Sequence, residues 1–259
     1  MQLITLTTDF GLRDWFVGTM KGVIHRIAPR AVIVDITHEI PPGDIRSGAF
    51  ALAAAWRFFP TGSVHVAIVD PGVGSARAAI AVRTARGIFV GPDNGVLSSA
   101  LVGESILGIR RLTNERFFLT PLSHTFHGRD VFAPVAAHLC RGARFDTLGP
   151  EAEDFVRLPQ APPRRCGGTI QGRVLYVDRF GNAITNIPNA WIESARAGIF
   201  LRGKRIGPLA SFYQAVPRGR TVGVPGSTGF LEVAVNGGNA AKRFGLKPGT
   251  AVRVRLEPR

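Results

Sequence analysis

As far as Val69 the chain alternates between two hydrophobic periods, and this alternation limits the fold more than any other feature. Leu3–Thr8, Ala31–Ile36 and Ser63–Val69 are short apolar runs of strand character. Between them, Trp15–Ile27 and Asp44–Phe59 carry helical periodicity, and Asp44 is placed to cap the second helix. Strand, helix, strand, helix, strand requires parallel pairing through crossover helices. Ala79–Arg83 and Ile88–Gly91 read as shorter strands, and Asp130–Cys140 as a further helix with Asp130 as its cap.

The texture changes between Leu158 and Gly168. Pro159-Gln160-Ala161-Pro162-Pro163-Arg164-Arg165 is a stiff, exposed connector. Beyond it, strands at Thr169–Asp178, Thr221–Val224, Phe230–Val235 and Ala251–Leu256 are separated by Gly and Asn turns, the pattern of a small barrel or sandwich. The expectation is an α/β N-terminal domain with a mostly parallel central sheet over 1–160, and a small C-terminal β-domain over 161–259.

Composition excludes some classes. With 45% hydrophobic and 19% charged residues the chain can build a core. The longest apolar helical run, Ser47–Phe59, is too short to span a bilayer and carries Arg57, and no charged segment precedes an apolar stretch at the N-terminus. Cys140 and Cys166 lack metal or redox spacing, which points to a reducing, cytoplasmic compartment. The net charge of +14 raises nucleic acid as a partner. The basic residues are scattered, however, with no run of five or more, so the charge reads as a solvated surface, compatible with attraction of an anionic small molecule.

Asp70 ends the third strand, in Asp70-Pro71-Gly72-Val73-Gly74, with Arg77 close behind. Ligands bind at the carboxyl ends of strands in open α/β sheets, so this pair is a candidate charged site. Asp-Pro-Gly is equally good turn chemistry. Gly72-Val73-Gly74-Ser75-Ala76-Arg77 imitates a dinucleotide-binding loop but lacks the third glycine and the following helix. Asp9 also lies at a strand's carboxyl end, where a carboxylate can accept two ribose hydroxyls, or bond to its own backbone. His124 and His127, with Asp130, meet no zinc-ligand spacing, so no metal is expected. His127 beside Gly128 is the better general-base candidate.

These segments in this order resemble the S-adenosylmethionine (SAM) hydroxide adenosyltransferase family, the adenosine-forming SAM hydrolases related to the SAM-dependent fluorinase and chlorinase. The segments are Thr8-Asp9-Phe10-Gly11, Asp35–Pro42, Val69–Gly74, Gly91-Pro92-Asp93-Asn94-Gly95, Thr125–Asp130, Asp178–Asn182 and Ala234-Val235-Asn236. The resemblance implies an N-terminal α/β domain, a C-terminal β-barrel, and a homotrimer with sites at subunit interfaces. It also implies that SAM is the substrate, with no further cofactor. Asp70, Arg77 and His127 match a hydrolytic triad holding a water or hydroxide for attack on ribose C5′. Asp9 would hold the ribose hydroxyls, Asp178 the methionine ammonium, Asn182 the adenine and Ser227 the methionine carboxylate, while Val235 and Asn236 would line the adenine pocket. Halogenating relatives carry Tyr-Pro-x-Thr where this chain has Asp70-Pro71-Gly72-Val73, and Ser at Gly128, so hydrolysis is expected here. A non-catalytic SAM or adenosine sensor and a halogenase are the alternatives.

Overall fold

The computed structural model describes residues 3–192 and 196–257. The chain divides into two compact units, Met1–Pro159 and Gln160–Arg259.

The first unit is built on a six-stranded sheet: β1 (Leu3–Thr8), β2 (Val32–Thr37), β3 (Ser63–Ile68), β4 (Ala79–Thr84), β5 (Gly87–Pro92) and β6 (Ile106–Arg111), in the order β2-β1-β3-β5-β4-β6. The first four of that order run parallel, while β4 is antiparallel to both β5 and β6. β1 and β3 are buried along their whole length, as central parallel strands covered on both faces are. Alternate side chains feed two cores. Ile4, Leu6, Val64, Val66 and Ile68 join Met20 and Ile24 of α1 (Phe16–Ile27) and Val135 of α3 (Ala133–Cys140). Ala67 and Val69 join Leu52 of α2 (Ile45–Ala55), together with Trp56 and Phe89.

This topology fixes the place of a site. The chain leaves β1 for β2 on one side and returns to β3 on the other, so the sheet's switch point lies between the carboxyl ends of β1 and β3. Pairing of Thr8 with Ile68 sets Asp9 and Asp70 just beyond those ends.

Asp44 caps α2, its carboxylate accepting the Ser47 N–H at 3.1 Å. Asp130 is not a cap. A π-helical turn over Gly128–Phe132 precedes α3, and the buried Asp130 carboxylate reaches back to accept the Ser123 N–H at 2.8 Å. A buried carboxylate needs donors, and here it finds them in a loop seven residues upstream and in Arg129.

The second unit is antiparallel. Its strands are β7 (Arg164–Cys166), β8 (Thr169–Val177), β9 (Ala183–Pro188), β10 (Ala197–Leu201), β11 (Lys204–Pro208), β12 (Thr221–Pro225), β13 (Phe230–Val235) and β14 (Ala251–Leu256). Their order is β11-β10-β14-β8-β9-β13-β12, with β7 added on β8. The two end strands meet through a bridge between Leu209 and Gly223, so the sheet is nearly closed. Gly207 permits that approach, because a Cβ there would lie 2.3 Å from the Thr221 carbonyl oxygen. Ile170, Val174, Ile199, Leu231, Val233 and Val254 fill the interior.

Candidate active site

Three segments of the first unit supply the site. Asn94 pins the end of β3, donating from Nδ2 to the Val69 carbonyl at 2.8 Å. The chain then turns through Asp70–Ser75, closed by Val73 N–H to Asp70 O at 3.2 Å and Ser75 N–H to Gly72 O at 3.1 Å. Gly74, at φ +77°, lies directly against the His124 carbonyl, and a Cβ there would sit 2.2 Å from that oxygen. Only glycine allows this contact, which lays the Asp70–Arg77 loop on the segment ending in His127. Asp130 anchors the same segment from the other side through Ser123.

The result is a continuous charged chain. Arg77 Nε is 3.0 Å from each oxygen of Asp70, and one terminal nitrogen is 2.5 Å from Asp70 Oδ2. The same terminal nitrogen is 2.9 Å from His127 Nδ1. The Asp70 and Arg77 side chains are 5% and 12% exposed, so this pair is largely shielded from solvent. An arginine can only donate, so His127 Nδ1 is the acceptor and the neutral ring carries its proton on Nε2. Burial, and then the Arg77 charge, push the His127 pKa down, against the pull of Asp70 and Asp130. His127 Nε2 is buried with no hydrogen-bond partner among the described residues. An orphaned N–H beside a cavity is free to bond a small molecule.

That cavity, of about 350 Å³, is lined by Asp9, Asp70, His127 and Gly128 and walled by Phe10, Phe16 and Phe126. The three rings pack with centroids 5.1 to 5.9 Å apart. Asp9 Oδ2 accepts the Gly43 N–H at 2.8 Å. Burial raises the Asp9 pKa, the Gly43 bond opposes this, and the nearby Asp70 charge adds to the rise. A second relay holds the Asp9 loop. Thr8 Oγ1 and His38 Nδ1 are 2.8 Å apart, His38 Nε2 lies 3.1 Å from Asp35, and Asp35 pairs with Lys21 at 2.5 Å. Thr8 in turn accepts the Phe10 N–H at 3.2 Å.

The remaining sequence-predicted residues lie in the second unit. Asp178 and Asn182 close one tight turn: Asp178 accepts the Asn182 N–H at 2.8 Å and its amide at 3.0 Å. Pairing of Ala183 with Val233 sets this turn beside the end of β13, where Val235 and Asn236 stand. Asn236 donates from Nδ2 to the Val216 carbonyl at 2.8 Å. Ser227 sits at the tip of the β12–β13 hairpin, at the opposite end of β13 from Val235 and Asn236. Tyr213 donates to the buried Glu232 at 2.6 Å. Its pKa is pushed up by burial, then by Glu232 and by the charge of Asp178.

Sequence reasoning missed Gly74, Asn94 and His38 as builders of the site. Asn94 and His38 lie inside the Gly91–Gly95 and Asp35–Pro42 segments, the signal that could have found them. Among the described residues, no group of three or more His, Cys, Asp and Glu side chains is placed to hold a metal ion, and no helix is long and apolar enough to cross a membrane.

A ring-walled switch-point cavity lined by two carboxylates and a neutral histidine, with an arginine bonded to one carboxylate and to the histidine, describes a site for a cationic, partly apolar small molecule. Comparison with known proteins narrows this. The SAM hydroxide adenosyltransferase N-terminal domain matches residues 4–149, and the C-terminal domain of the same family matches residues 172–253. The (R)-S-adenosyl-L-methionine hydrolase of Salinispora arenicola is 44% identical over 256 residues, covering 97% of each chain. That of Thermus thermophilus is 40% identical, covering 98% of this chain and 100% of its own. A Thermotoga maritima crystal structure described as an uncharacterized conserved protein superposes with a TM-score of 0.92 at 36% identity, over 98% of this chain and 99% of that one. A fluorinase from an Actinoplanes species is more distant, at 28% identity. The chain belongs to the SAM hydroxide adenosyltransferase family.

Proposed function

We propose that this enzyme hydrolyses S-adenosyl-L-methionine to adenosine and L-methionine, with water attacking the ribose C5′ opposite the sulfur. The observation that carries this reading is the Arg77 guanidinium joined to both Asp70 and His127 at a cavity that also holds Asp9. Methionine leaves the sulfonium as a neutral thioether and needs no general acid. The difficult partner is the nucleophile.

In this reading one water lies between the Asp70 carboxylate and His127 Nε2–H. The Arg77 charge favours the hydroxide form of that water, and Nε2–H donates to its oxygen. His127 cannot take the proton on Nδ1 while Arg77 donates to it. Asp70 keeps lone pairs beyond those Arg77 uses, and is the acceptor. The carbon–sulfur bond breaks as the new carbon–oxygen bond forms, and overall one proton is released as the sulfonium charge is lost. The aromatic wall excludes other water, which strengthens each of these interactions.

Asp9 holds the ribose hydroxyls through the oxygen that Gly43 leaves free. Asp178, Asn182, Ser227, Val235 and Asn236 serve the methionine and adenine ends as the family resemblance assigns them. On the same basis the enzyme is a cytoplasmic homotrimer, its domains 1–160 and 161–259, the second a small β-barrel. The relatives' names specify the (R) sulfonium, and we extend that handedness to this chain. Gly128 argues against halogenation. A Cβ there would lie 3.1 to 3.3 Å from Phe126, Phe10 and Met20, leaving no room for a serine hydroxyl without repacking.

Turnover in heavy-oxygen water, with the (R) and (S) epimers supplied separately, tests the proposal. The expected product is adenosine labelled at the 5′ hydroxyl, formed faster from the (R) epimer. Unlabelled adenosine, a 5′-chloro product when chloride is added, or retention of intact substrate without turnover would overturn it.

A further inference from the structure

The second unit carries a groove of about 840 Å³ that none of the chemistry above uses. Arg164, Arg173, Arg202 and Arg253 line it, and no acidic residue does. None of the four arginines forms an ion pair among the described residues. Arginines with an acid in reach do pair, as Arg205 does with Glu257 on the same sheet at 2.8 Å.

Strand pairing arranges these groups in two rows on the outer face. Phe200 lies beside Arg253, Arg253 beside Gln171, and Gln171 beside Arg164. Three strand spacings make this row about 14 Å wide. Two residues along β8 and β14, on the same face, Arg173 lies beside Ala251, and Arg202, in the turn just past β10, lines the same groove. The small Ala251 leaves a floor between two cations. Arg255 stacks over the Phe200 ring, its guanidinium carbon 4.9 Å from the centroid.

Two features resist a purely structural explanation. Arg253 and Arg173 are diagonal neighbours on adjacent strands, and among the described residues no ion pair neutralises any of the four arginines. Arg202 also sits in the left-handed region at φ +47°, at the first corner of a two-residue hairpin turn completed by Gly203. That corner favours Asn, Asp or Gly, and a residue with a longer side chain costs about 1 kcal/mol there. Strain kept at a ligand-facing position marks a place where the side chain serves something else.

We propose that this face binds the phosphate backbone of a single-stranded nucleic acid. The arginine rows track the phosphates, and a base stacks at Phe200. An aromatic ring among cations on the outer face of a sheet is the arrangement that takes unstacked bases. A duplex hides its bases and would use the charge alone. The basic residues are scattered along the sequence, yet across this sheet they are gathered, which is why the net charge of +14 gave no such signal on its own.

The test is fluorescence anisotropy of a 5′-labelled twelve-nucleotide oligouridylate with the full-length protein, titrated at several salt concentrations. Replacing Arg164, Arg173, Arg202 and Arg253 together with Gln is expected to weaken binding at least tenfold. It should also reduce the slope of log affinity against log salt by about 3. Phe200→Ala is expected to weaken binding about tenfold with the slope unchanged. Arg202→Asn suits the turn better, so it should keep or raise stability while lowering affinity, which a merely structural arginine would not do. SAM turnover, retained in all three variants, shows that they fold. The proposal is overturned if the wild type does not bind at 50 mM salt, or if the variants bind as the wild type does. It is overturned equally if a duplex of the same length, or heparin, binds as tightly and Phe200→Ala has no effect.

Discussion

The Asp70 loop of the first unit and the Asp178 turn of the second are both carboxylate-bearing turns at strand ends, built on opposite plans. Asp178 is satisfied within five residues, both its oxygens taken by Asn182. Such a turn forms wherever its strands place it and presents what is left of its polar groups. Asp70 is satisfied from seven residues away by Arg77, which bonds in turn to a histidine fifty residues further on. That arrangement exists only when Gly74, Asn94 and Asp130 have brought two loops into contact. The first plan suits recognition, the second a reaction whose groups must be held to a fraction of an ångström. Substitutions in the first unit's site should therefore act on kcat, and those in the second unit's turn on KM.

The largest effect is expected at Arg77. Arg77→Ala removes the charge that favours hydroxide and leaves the buried Asp70 carboxylate unpaired. Turnover should fall about 10³-fold, with a loss of about 3 kcal/mol in unfolding free energy. Arg77→Lys keeps the charge but not the fork that reaches both Asp70 and His127, and should still lose about 10²-fold in kcat. Retention of more than a tenth of wild-type kcat in either would break the comparison.

Gly74→Ala follows. The added methyl meets the His124 carbonyl and must part the two loops. kcat should drop about 10²-fold, with KM much less changed. A crystal structure of this variant with Arg77 still within 3 Å of His127 would contradict the account.

Acid should act on the first unit alone, since all six histidines lie in it. His65 is buried against Trp56, Phe59 and Phe89, with Nδ1 2.8 Å from Thr5 Oγ1. Burial, and then the Arg86 charge, bring its pKa down from 6.5 to about 4. The unfolded chain therefore binds a proton between pH 6.5 and 4 that the folded chain refuses. Stability is full above pH 6.5 and is lost as pH falls towards 4, by about 3 kcal/mol from this residue. His127, also lowered, adds to the loss in the same direction. Thermal unfolding from pH 7 to 4 should show this decline, and His65→Gln should flatten it.

The smallest effect belongs to the second unit. Asn182→Ala should raise KM for SAM about tenfold and leave kcat near the wild-type value. A kcat loss as large as that of Gly74→Ala would erase the distinction between the two turns.

The same contrast explains what the sequence made legible. β1, β2 and β3 announce themselves as apolar runs, and their order alone sets Asp9 and Asp70 at one switch point. Arg77 and His127 could be named, but not their contact, which depends on the glycine at 74 meeting a carbonyl fifty residues later. Asp130 looked like a cap because a carboxylate before a helix usually is one; only the fold supplies the half-buried Ser123 N–H that claims it. β9 was hidden for the opposite reason. Its polar Thr185 and Asn186 stand among apolar residues, yet both are buried, bonded to the carbonyls of Leu231 and Ala161 at 2.9 and 2.7 Å. Polar side chains satisfied by distant backbone leave no mark in local periodicity.

A crystal structure of the enzyme with adenosine and methionine bound tests the central claim most directly. The account predicts the adenosine O5′, the former water, within hydrogen-bond distance of both His127 Nε2 and an Asp70 oxygen, with Arg77 still joining the two. A ribose bound away from that pair, or O5′ facing neither group, would contradict it.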